Sequence, residues 1–352
     1  MTTSRRITPL PVRRDTDRRA RDTGRLTVVA GGAGFIGSHL CRALLDRGDA
    51  VLCIDNMQTA RPSNLHALQG HPRFDFLHWD IVNPLPPDLL GDAPRIARVY
   101  NLACAASPPL YQRDPEHTML TNVVGTNHLL RLAEAAGARF LLTSTSEVYG
   151  DPEIHPQAEG YRGSVSCTGP RACYDEGKRA AESLTFDYAR AGRAEVRVAR
   201  IFNTYGPNMD PADGRVVSNL ICQALRGDEL TIYGDGSQTR SFCYVSDLVA
   251  GLMALMEAEF EGMEPVNLGN PVEMTVNELL DQVLALSGSR ARVVHHPLPV
   301  DDPRRRQPDI TRAVSLLGWH PVVSLPEGLA ATYAWFEEEI GAGVTEMGQG
   351  RT

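Results

Sequence analysis

The chain has 352 residues, of which 42% are hydrophobic and 22% are charged, and its formal net charge is −8 at pH 7. This composition is typical of a soluble globular protein with a substantial core. The negative charge argues against nucleic acid as a partner, and no apolar run is long enough to span a membrane. The seven cysteines form no Cys-x-x-Cys pair, so we expect a reduced, cytoplasmic protein without disulfides or a metal site.

The first 24 residues are rich in arginine and lack the apolar core of a signal peptide. We interpret residues 1–24 as a disordered basic tail, with an arm that touches a partner subunit as the alternative. A second tail is expected at 341–352.

The apolar stretch 26–30 predicts a buried strand that runs directly into a glycine turn and a helix over 38–46. Gly31 permits a tight turn, Gly34 lets the backbone approach a pyrophosphate, and Gly37 lets helix and strand pack closely. The helix N-terminus supplies N–H groups for the phosphates. The pattern therefore predicts a dinucleotide site. Two further residues of the turn are included in it: Phe35 and Ile36.

The second predicted strand, 51–54, ends at Asp55, where a carboxylate can hydrogen-bond both ribose hydroxyls and repel a 2′-phosphate. We therefore expect NAD as the cofactor rather than NADP. Asn56 is included beside it, and Asp80, which closes the third strand with Ile81, is placed against the adenine amino group. Arg61 is interpreted as a solvated side chain rather than a phosphate ligand.

Further strands are expected at 74–79, 97–102, 140–143 and 196–201, and helices at 118–136 and 172–191. This alternation predicts an α/β fold, a Rossmann-type doubly wound parallel sheet. The apolar stripes of the two long helices fit either a homodimer interface or packing on the sheet.

After Asn203 the sequence becomes rich in Gly, Pro and Asn, which predicts loops at 203–207, 214–219 and 233–240. We assign these loops to a smaller C-terminal lobe that closes over a substrate. The expected division is an NAD-binding domain at 25–203, with 244–270 packing back onto it, and a substrate lobe at 204–243 and 271–340.

Hydroxyl groups and a carboxylate follow the apolar segment 140–142, at the strand end where parallel sheets bind ligands. Further on, Tyr174 and Lys178 are four residues apart, so a helix places both on one face. A neighbouring ammonium favours the phenolate, and lowering a tyrosine pKa from about 10 to about 7 takes roughly 4 kcal/mol. Such a phenol can accept a proton from a sugar hydroxyl while a hydride leaves the same carbon.

Several longer stretches resemble one family of enzymes: 101–109, 143–151, 174–178, 200–207, 213–219, 234–247 and 301–310. Across nearly the whole chain the sequence is similar to the extended short-chain dehydrogenases/reductases and, within them, to the UDP-glucuronic acid decarboxylases. The resemblance implies NAD-dependent conversion of UDP-glucuronate to UDP-xylose and CO2 through a 4-keto intermediate, with NADH retained and reused.

By this resemblance Tyr174 accepts the proton of the C4 hydroxyl, Lys178 holds Tyr174 ionised, and Thr145 positions the C4 oxygen. Glu147 lies beside the sugar ring and Arg306 near its carboxylate. Ser146 stands where related 4,6-dehydratases have an acidic aspartate. The other cofactor residues that the resemblance implies are Leu102, Ala103, Ala105 and Thr143. The nucleotide-sugar residues are Asn203, Arg215, Val217, Asn219, Ile232, Tyr233, Arg240 and Arg306.

Three other activities fit the same motifs. They are oxidative decarboxylation that releases a 4-keto pentose and NADH, 4-epimerisation of UDP-glucuronate, and regulation by a non-catalytic NAD-binding protein. Whether the nucleotide is UDP or dTDP stays open at this point.

Overall fold

The computed structural model describes residues 26–91, 95–260, 263–298 and 305–349. The predicted basic tail at 1–24 lies outside the described residues, as does the end of the predicted tail at 341–352. The same is true of the first part of the stretch 301–310.

The strands and helices are numbered in chain order. The strands are β1 (Leu26–Ala30), β2 (Ala50–Asp55), β3 (Phe74–His78), β4 (Ile96–Asn101), β5 (Arg139–Thr145), β6 (Val196–Ile201), β7 (Thr204–Tyr205), β8 (Leu230–Tyr233), β9 (Thr239–Ser241), β10 (Cys243–Tyr244), β11 (Val266–Leu268), β12 (Glu273–Thr275) and β13 (Val293–His296). The helices are α1 (Phe35–Arg47), α2 (Ser63–His66), α3 (Pro87–Gly91), α4 (Pro108–Tyr111), α5 (Pro115–Leu120), α6 (Thr126–Ala136), α7 (Ala172–Arg190), α8 (Val216–Arg226), α9 (Val245–Glu257), α10 (Val276–Ser287), α11 (Thr311–Leu317) and α12 (Leu325–Gln349). A π-helical turn, Thr121–Gly125, joins α5 to α6, and a 3-10 turn, Ser146–Tyr149, follows β5.

A seven-stranded parallel sheet with the order β11-β6-β5-β4-β1-β2-β3 forms the centre of the fold. The chain leaves β1 toward β2 and β3, and then returns to place β4 on the other side of β1. The connections after β1 and β4 therefore diverge at the carboxyl end of the sheet. Open α/β sheets bind ligands in such a crevice.

Helices cover both faces of the sheet. Leu40 and Leu44 of α1 pack in one apolar core with Leu252 and Leu255 of α9. On the other face, a second core contains Leu129 of α6 and Ala181 of α7. Because a parallel sheet must bury both faces, this arrangement is the expected way to cover its apolar strands. The predicted Rossmann-type doubly wound α/β fold is confirmed.

A third apolar core lies outside the sheet, in the C-terminal part of the chain. It joins Leu220 and Ile221 of α8 to Leu279 and Val283 of α10 and to Phe336 of α12. All five side chains are fully buried. These helices, with β8 and β13, form the smaller lobe of the molecule.

The structure differs from the prediction in one loop and in the start and regularity of one helix. The predicted loop at 214–219 is in part helical, because α8 begins at Val216 and buries Val217, Leu220 and Ile221 at helical spacing. The predicted helix at 118–136 begins earlier, at Pro115, where Asp114 Oδ1 accepts a hydrogen bond from the backbone N–H of His117 at 3.0 Å. It is also interrupted by the π-helical turn.

Within the described residues, no helix is both long and apolar enough to cross a membrane. In the same part of the chain, no group of three or more His, Cys, Asp or Glu side chains is arranged to hold a metal ion. The seven cysteines are free thiols.

Candidate active site

A cavity of about 620 Å³ is lined both by residues at the carboxyl end of the sheet and by residues of the smaller lobe. This volume is typical of sites that take a cofactor or a small molecule. Most of the residues predicted for the site line it: Gly31, Gly34, Phe35, Ile36, Gly37, Leu102, Thr143, Thr145, Ser146, Glu147, Tyr174, Lys178, Asn203, Arg215, Val217, Asn219, Ile232, Tyr233, Arg240 and Arg306. Six predicted cofactor residues lie outside the lining: Asp55, Asn56, Asp80, Ile81, Ala103 and Ala105.

The glycine turn between β1 and α1 is closely packed. Gly31 has a φ of +77°, and a Cβ atom there would lie 2.6 Å from the backbone carbonyl carbon of Leu102. A Cβ atom on Gly37 would lie 2.1 Å from the backbone oxygen of Gly31. Gly34 caps α1 without a side-chain acceptor, so N–H groups of the first turn remain open toward the cavity. These features fit the pyrophosphate of a dinucleotide.

Hydrogen bonds of Asp55 connect the glycine turn to the end of β2. Its carboxylate accepts hydrogen bonds from the backbone N–H groups of Ala33 at 3.0 Å and Met57 at 2.8 Å. Burial raises the pKa of Asp55, and these two hydrogen bonds oppose that shift. The carboxylate is therefore held in a fixed position beside the turn.

Asp80 lies in a polar cluster at the edge of this region. Its Oδ2 atom accepts a hydrogen bond from Asn56 at 3.0 Å and lies 2.7 Å from Nε2 of His117, while its Oδ1 accepts one from the Val82 N–H. Burial opposes ionisation of Asp80, but these contacts outweigh it and lower its pKa. Neighbouring Ile81 is buried in the core.

Arg61 is not the solvated side chain that we expected. It forms an ion pair with Glu339 of α12, and its guanidinium lies 5.5 Å from the ring centroid of Trp335 on the same helix. Arg61 also lines the cavity. The final helix therefore supports the loop that follows β2.

Helix α7 carries Tyr174 and Lys178 into the cavity, as their spacing predicts. Tyr174 is buried and stacks on Tyr111 with ring centroids 5.0 Å apart, and the nearby Thr145 hydroxyl acts to lower the pKa of its phenol. The Lys178 ammonium donates to the backbone oxygen of Thr143 at 2.9 Å and lies 5.9 Å from the Tyr174 ring centroid.

The expectation that Lys178 lowers the pKa of Tyr174 was wrong for the protein without its cofactor. Burial raises that pKa well above its usual value, and the nearby Cys104 thiol and Glu147 carboxyl add to the shift. Burial also lowers the pKa of Lys178. Desolvation of the phenolate outweighs the ammonium, which is directed at the backbone of Thr143.

Glu147 follows β5 and is held between two buried arginines. Its Oε2 atom accepts a hydrogen bond from Nη2 of Arg171, and its Oε1 atom lies 3.4 Å from Nη1 of Arg306. Its backbone N–H donates to the Thr145 hydroxyl at 3.2 Å. Burial opposes ionisation of Glu147, but the two arginines outweigh it and lower its pKa. Glu147 is therefore an ionised carboxylate in the wall of the cavity.

Arg306 reaches the same point from the C-terminal part of the chain. Its Nη1 atom also donates to Asn203 at 3.2 Å, and its backbone oxygen accepts from Ser241 at 2.8 Å. Nη2 is buried and has no hydrogen-bond partner among the described residues. A buried, unpaired guanidinium N–H in a cavity wall is suited to an anionic ligand.

The predicted nucleotide-sugar residues surround the other end of the cavity. Arg215 pairs with Asp213 at 2.8 Å and lies 5.9 Å from the ring centroid of Phe35, so it joins the two lobes. Arg240 is buried and donates to the backbone of Thr239 at 2.8 Å. The remaining members differ in exposure: Val217 and Ile232 are buried, Tyr233 is exposed, and Asn219 donates to the backbone oxygen of Gly214.

Three residues of this region were missed by the sequence reasoning: Tyr111, Arg171 and Asp175. Tyr111 stacks on Tyr174, Arg171 pairs with Glu147, and Asp175 lies next to Glu147. A signal was present for the last two, because positions 171, 174, 175 and 178 form one face of a helix.

Several known proteins are similar to this chain over most of its length. The model of the "NAD dependent epimerase/dehydratase family" matches residues 27–269. UDP-glucuronic acid decarboxylase 2 of Arabidopsis thaliana is 53% identical over 90% of this chain and 69% of its own length. UDP-glucuronic acid decarboxylase 1 of Danio rerio is 50% identical over 89% of this chain and 73% of its own length.

Among solved structures, the UDP-glucuronic acid 4-epimerase of Bacillus cereus, in complex with UDP-glucuronic acid and NAD, has a TM-score of 0.78 and 30% sequence identity. The match covers 89% of this chain and 99% of the epimerase. The chain therefore belongs to the NAD dependent epimerase/dehydratase family, which confirms the resemblance found in its motifs.

Proposed function

We propose that this protein decarboxylates UDP-glucuronate to UDP-xylose and CO2 without net oxidation of the sugar. The similarity to UDP-glucuronic acid decarboxylases over nine-tenths of the chain supports the substrate and the product. The observation that carries the proposal is the buried, unpaired Nη2 of Arg306 beside Glu147, because it offers a carboxylate-binding group in the cavity that Tyr174 also lines.

The first step is removal of a proton from the C4 hydroxyl of the sugar. Tyr174 accepts this proton, and the Thr145 hydroxyl, which lines the same cavity, positions the C4 oxygen. The glycine turn, Gly31, Gly34 and Gly37, would hold NAD, which would supply the hydride acceptor for C4 and a positive charge that favours the phenolate. Lys178 hydrogen-bonds the nicotinamide ribose in this proposal. Its ammonium, which donates to the Thr143 backbone oxygen, lies in the cavity wall close to Tyr174.

The second step is loss of the carboxylate. Once C4 is a ketone, the C6 carboxylate is β to a carbonyl group, so the electrons of the C5–C6 bond can move into that carbonyl as CO2 leaves. Arg306 Nη2 holds the carboxylate in position before it leaves. Glu147 lies beside the ring, where C5 must gain a proton before C4 is reduced again.

The remaining residues of the cavity bind the nucleotide. We assign the diphosphate to Arg215, Arg240, Asn203 and Asn219, and the base to Ile232 and Tyr233. All six line the cavity, and all but Asn203 belong to the smaller lobe. In this assignment, 25–203 with 244–270 form the NAD-binding domain, and 204–243 with 271–340 form the nucleotide-sugar lobe. The homodimer and the cytoplasmic location stay predictions.

Product analysis by NMR, after incubation with UDP-glucuronate, tests the proposal. The wild type is expected to yield UDP-xylose and CO2, with flat absorbance of the reduced cofactor during turnover. A rise in that absorbance would instead indicate release of the 4-keto pentose. UDP-galacturonate as the product would indicate a 4-epimerase, the second candidate, which the Bacillus cereus structure favours.

The assigned roles are tested by Tyr174→Phe and Glu147→Ala. Each variant is expected to lose CO2 release by about 100-fold to 10,000-fold, the usual contribution of a group that transfers a proton. Tyr333→Phe, on α12 and outside the cavity lining, is the matched control and should retain the wild-type rate. Wild-type CO2 release by either active-site variant would contradict the role of the residue that it lacks.

A further inference from the structure

A second carboxyl group, that of Asp175, lies next to Glu147 but outside the cavity lining. Asp175 belongs to α7, is 8% exposed and does not line the cavity. Its backbone N–H donates to the Arg171 carbonyl oxygen at 3.0 Å, and the Arg171 side chain binds Glu147, so the carboxyl groups of Asp175 and Glu147 are neighbours. The Oδ1 atom of Asp175 is buried and has no hydrogen-bond partner among the described residues. Two carboxyl groups can form a hydrogen bond only if one of them carries a proton.

The surrounding charges determine which carboxyl group carries it. Arg171 and Arg306 both contact Glu147 and favour its ionised form. The charge of Arg215 also acts on Glu147 and favours its ionised form. Near the pair, burial raises the pKa of the Tyr111 and Tyr174 phenols and of the Cys173 thiol, so these three groups remain uncharged. Burial and the charge of Glu147 raise the pKa of Asp175 to about 8. The proton therefore belongs to Asp175 at neutral pH.

The proposed reaction needs such a proton. When CO2 leaves, the C5–C6 bond breaks and its electron pair moves toward the C4 carbonyl, and a C5–H bond must then form. The reaction therefore consumes one proton per turnover. Glu147, which two arginines keep ionised, has no proton of its own to give.

We propose that Asp175 stores the proton that Glu147 delivers to C5, so that the two carboxyl groups act as a relay. This inference rests on the proposed function. The Asp175 O–H proton moves to the ionised Glu147 carboxylate, which passes it to C5, where the electron pair of the broken C5–C6 bond forms the C5–H bond. Asp175 is left as a carboxylate and regains its proton from water. Asp175 does not touch the substrate, so it is a positioning residue that acts through Glu147.

The shared proton can be tested in the resting protein by infrared difference spectroscopy. The wild type should show the C=O stretch of a protonated carboxyl at neutral pH, and that band should disappear as the pH rises through about 8. Asp175→Asn should lack the band. Asp187→Asn, the same change at an exposed position of α7, should retain it. An unchanged band in Asp175→Asn would overturn the stored proton whatever the substrate is.

The use of the proton is tested by turnover with UDP-glucuronate. Asp175→Asn keeps a hydrogen-bond donor but cannot supply a proton, so its kcat should fall by about 10-fold to 100-fold, while KM and NAD affinity stay unchanged. Reduced cofactor should accumulate, because the sugar waits at the step before C5 is protonated. Asp175→Glu, which restores an acid, should recover most of the rate.

The pH profile separates a proton store from a structural role. The wild-type kcat should fall as the pH rises through about 8, and Asp175→Asn should lose that dependence. An Asp175→Asn variant with the wild-type kcat and an unchanged pH profile would overturn the relay. If the wild type releases no CO2 from UDP-glucuronate, the proposed function and the delivery to C5 fail together, whereas the infrared result still decides the stored proton.

Discussion

The glycine turn allows a specific prediction, because backbone atoms fill the space in which a side chain at Gly37 would lie. A Cβ atom added there would lie 2.1 Å from the Gly31 oxygen, 2.7 Å from the Gly32 Cα and 2.9 Å from the Gly31 carbonyl carbon. All three atoms belong to the backbone, so no side chain can move aside. Gly37→Ala must therefore displace the turn itself.

Overpacking of this kind costs about 1–3 kcal/mol. Because about 1.4 kcal/mol corresponds to a factor of ten, the Kd for NAD should rise by about 5-fold to 150-fold. Isothermal titration calorimetry with NAD measures this change. Gly160→Ala is the matched control, since Gly160 is exposed and no atom lies within 4 Å of its added Cβ. If Gly37→Ala bound NAD as tightly as this control, close packing of the turn would not be what the cofactor site requires.

Three further predictions concern charged groups. Asp55→Asn turns an amide N–H toward a backbone N–H, so NAD affinity should fall by about 1–3 kcal/mol in calorimetry, and an unchanged Kd would contradict the role of Asp55. Arg171→Met leaves the buried Glu147 carboxylate with one partner fewer and should lower the free energy of unfolding in urea by about 3–5 kcal/mol, whereas the exposed Arg190→Met should not. The native pKa of Asp175 is raised to about 8, so the native state binds an extra proton between about pH 4 and 8, and stability from this group is lost as the pH rises. The Tm of Asp175→Asn should therefore rise relative to that of the wild type as the pH increases toward 8. A difference in Tm that stays constant with pH would contradict the raised pKa of Asp175.

The fold could be predicted because its signals are local. The apolar run at 26–30, the glycine turn and the acid at the end of β2 lie within one short segment, and each has one physical reading. The loop at 214–219 was mispredicted because Gly214 and Asn219 suggested a turn, whereas the buried face of α8 required the three apolar side chains between and after them. Tertiary burial outweighed local preference there.

The site was less predictable because its charges interact across the chain. Glu147 and Arg306 are far apart in sequence, and no spacing shows that they meet at 3.4 Å. The Tyr174 pKa was predicted from a single neighbour, whereas burial, which only the folded protein reveals, is the larger effect. Asp175 was overlooked although its helical spacing was visible, because its role depends on the neighbouring carboxyl.

The support that α12 gives to Arg61 has a practical consequence for anyone who modifies the end of the chain. Glu339 and Trp335 hold the guanidinium in place, and the loop after β2 lies beside Asp55, at the expected adenosine half of the cofactor. An affinity tag or a fused domain that pulls on this helix would shift Arg61 and thereby change how fast the cofactor exchanges. Purified samples with different carboxyl-terminal fusions should accordingly differ in how much NAD they retain.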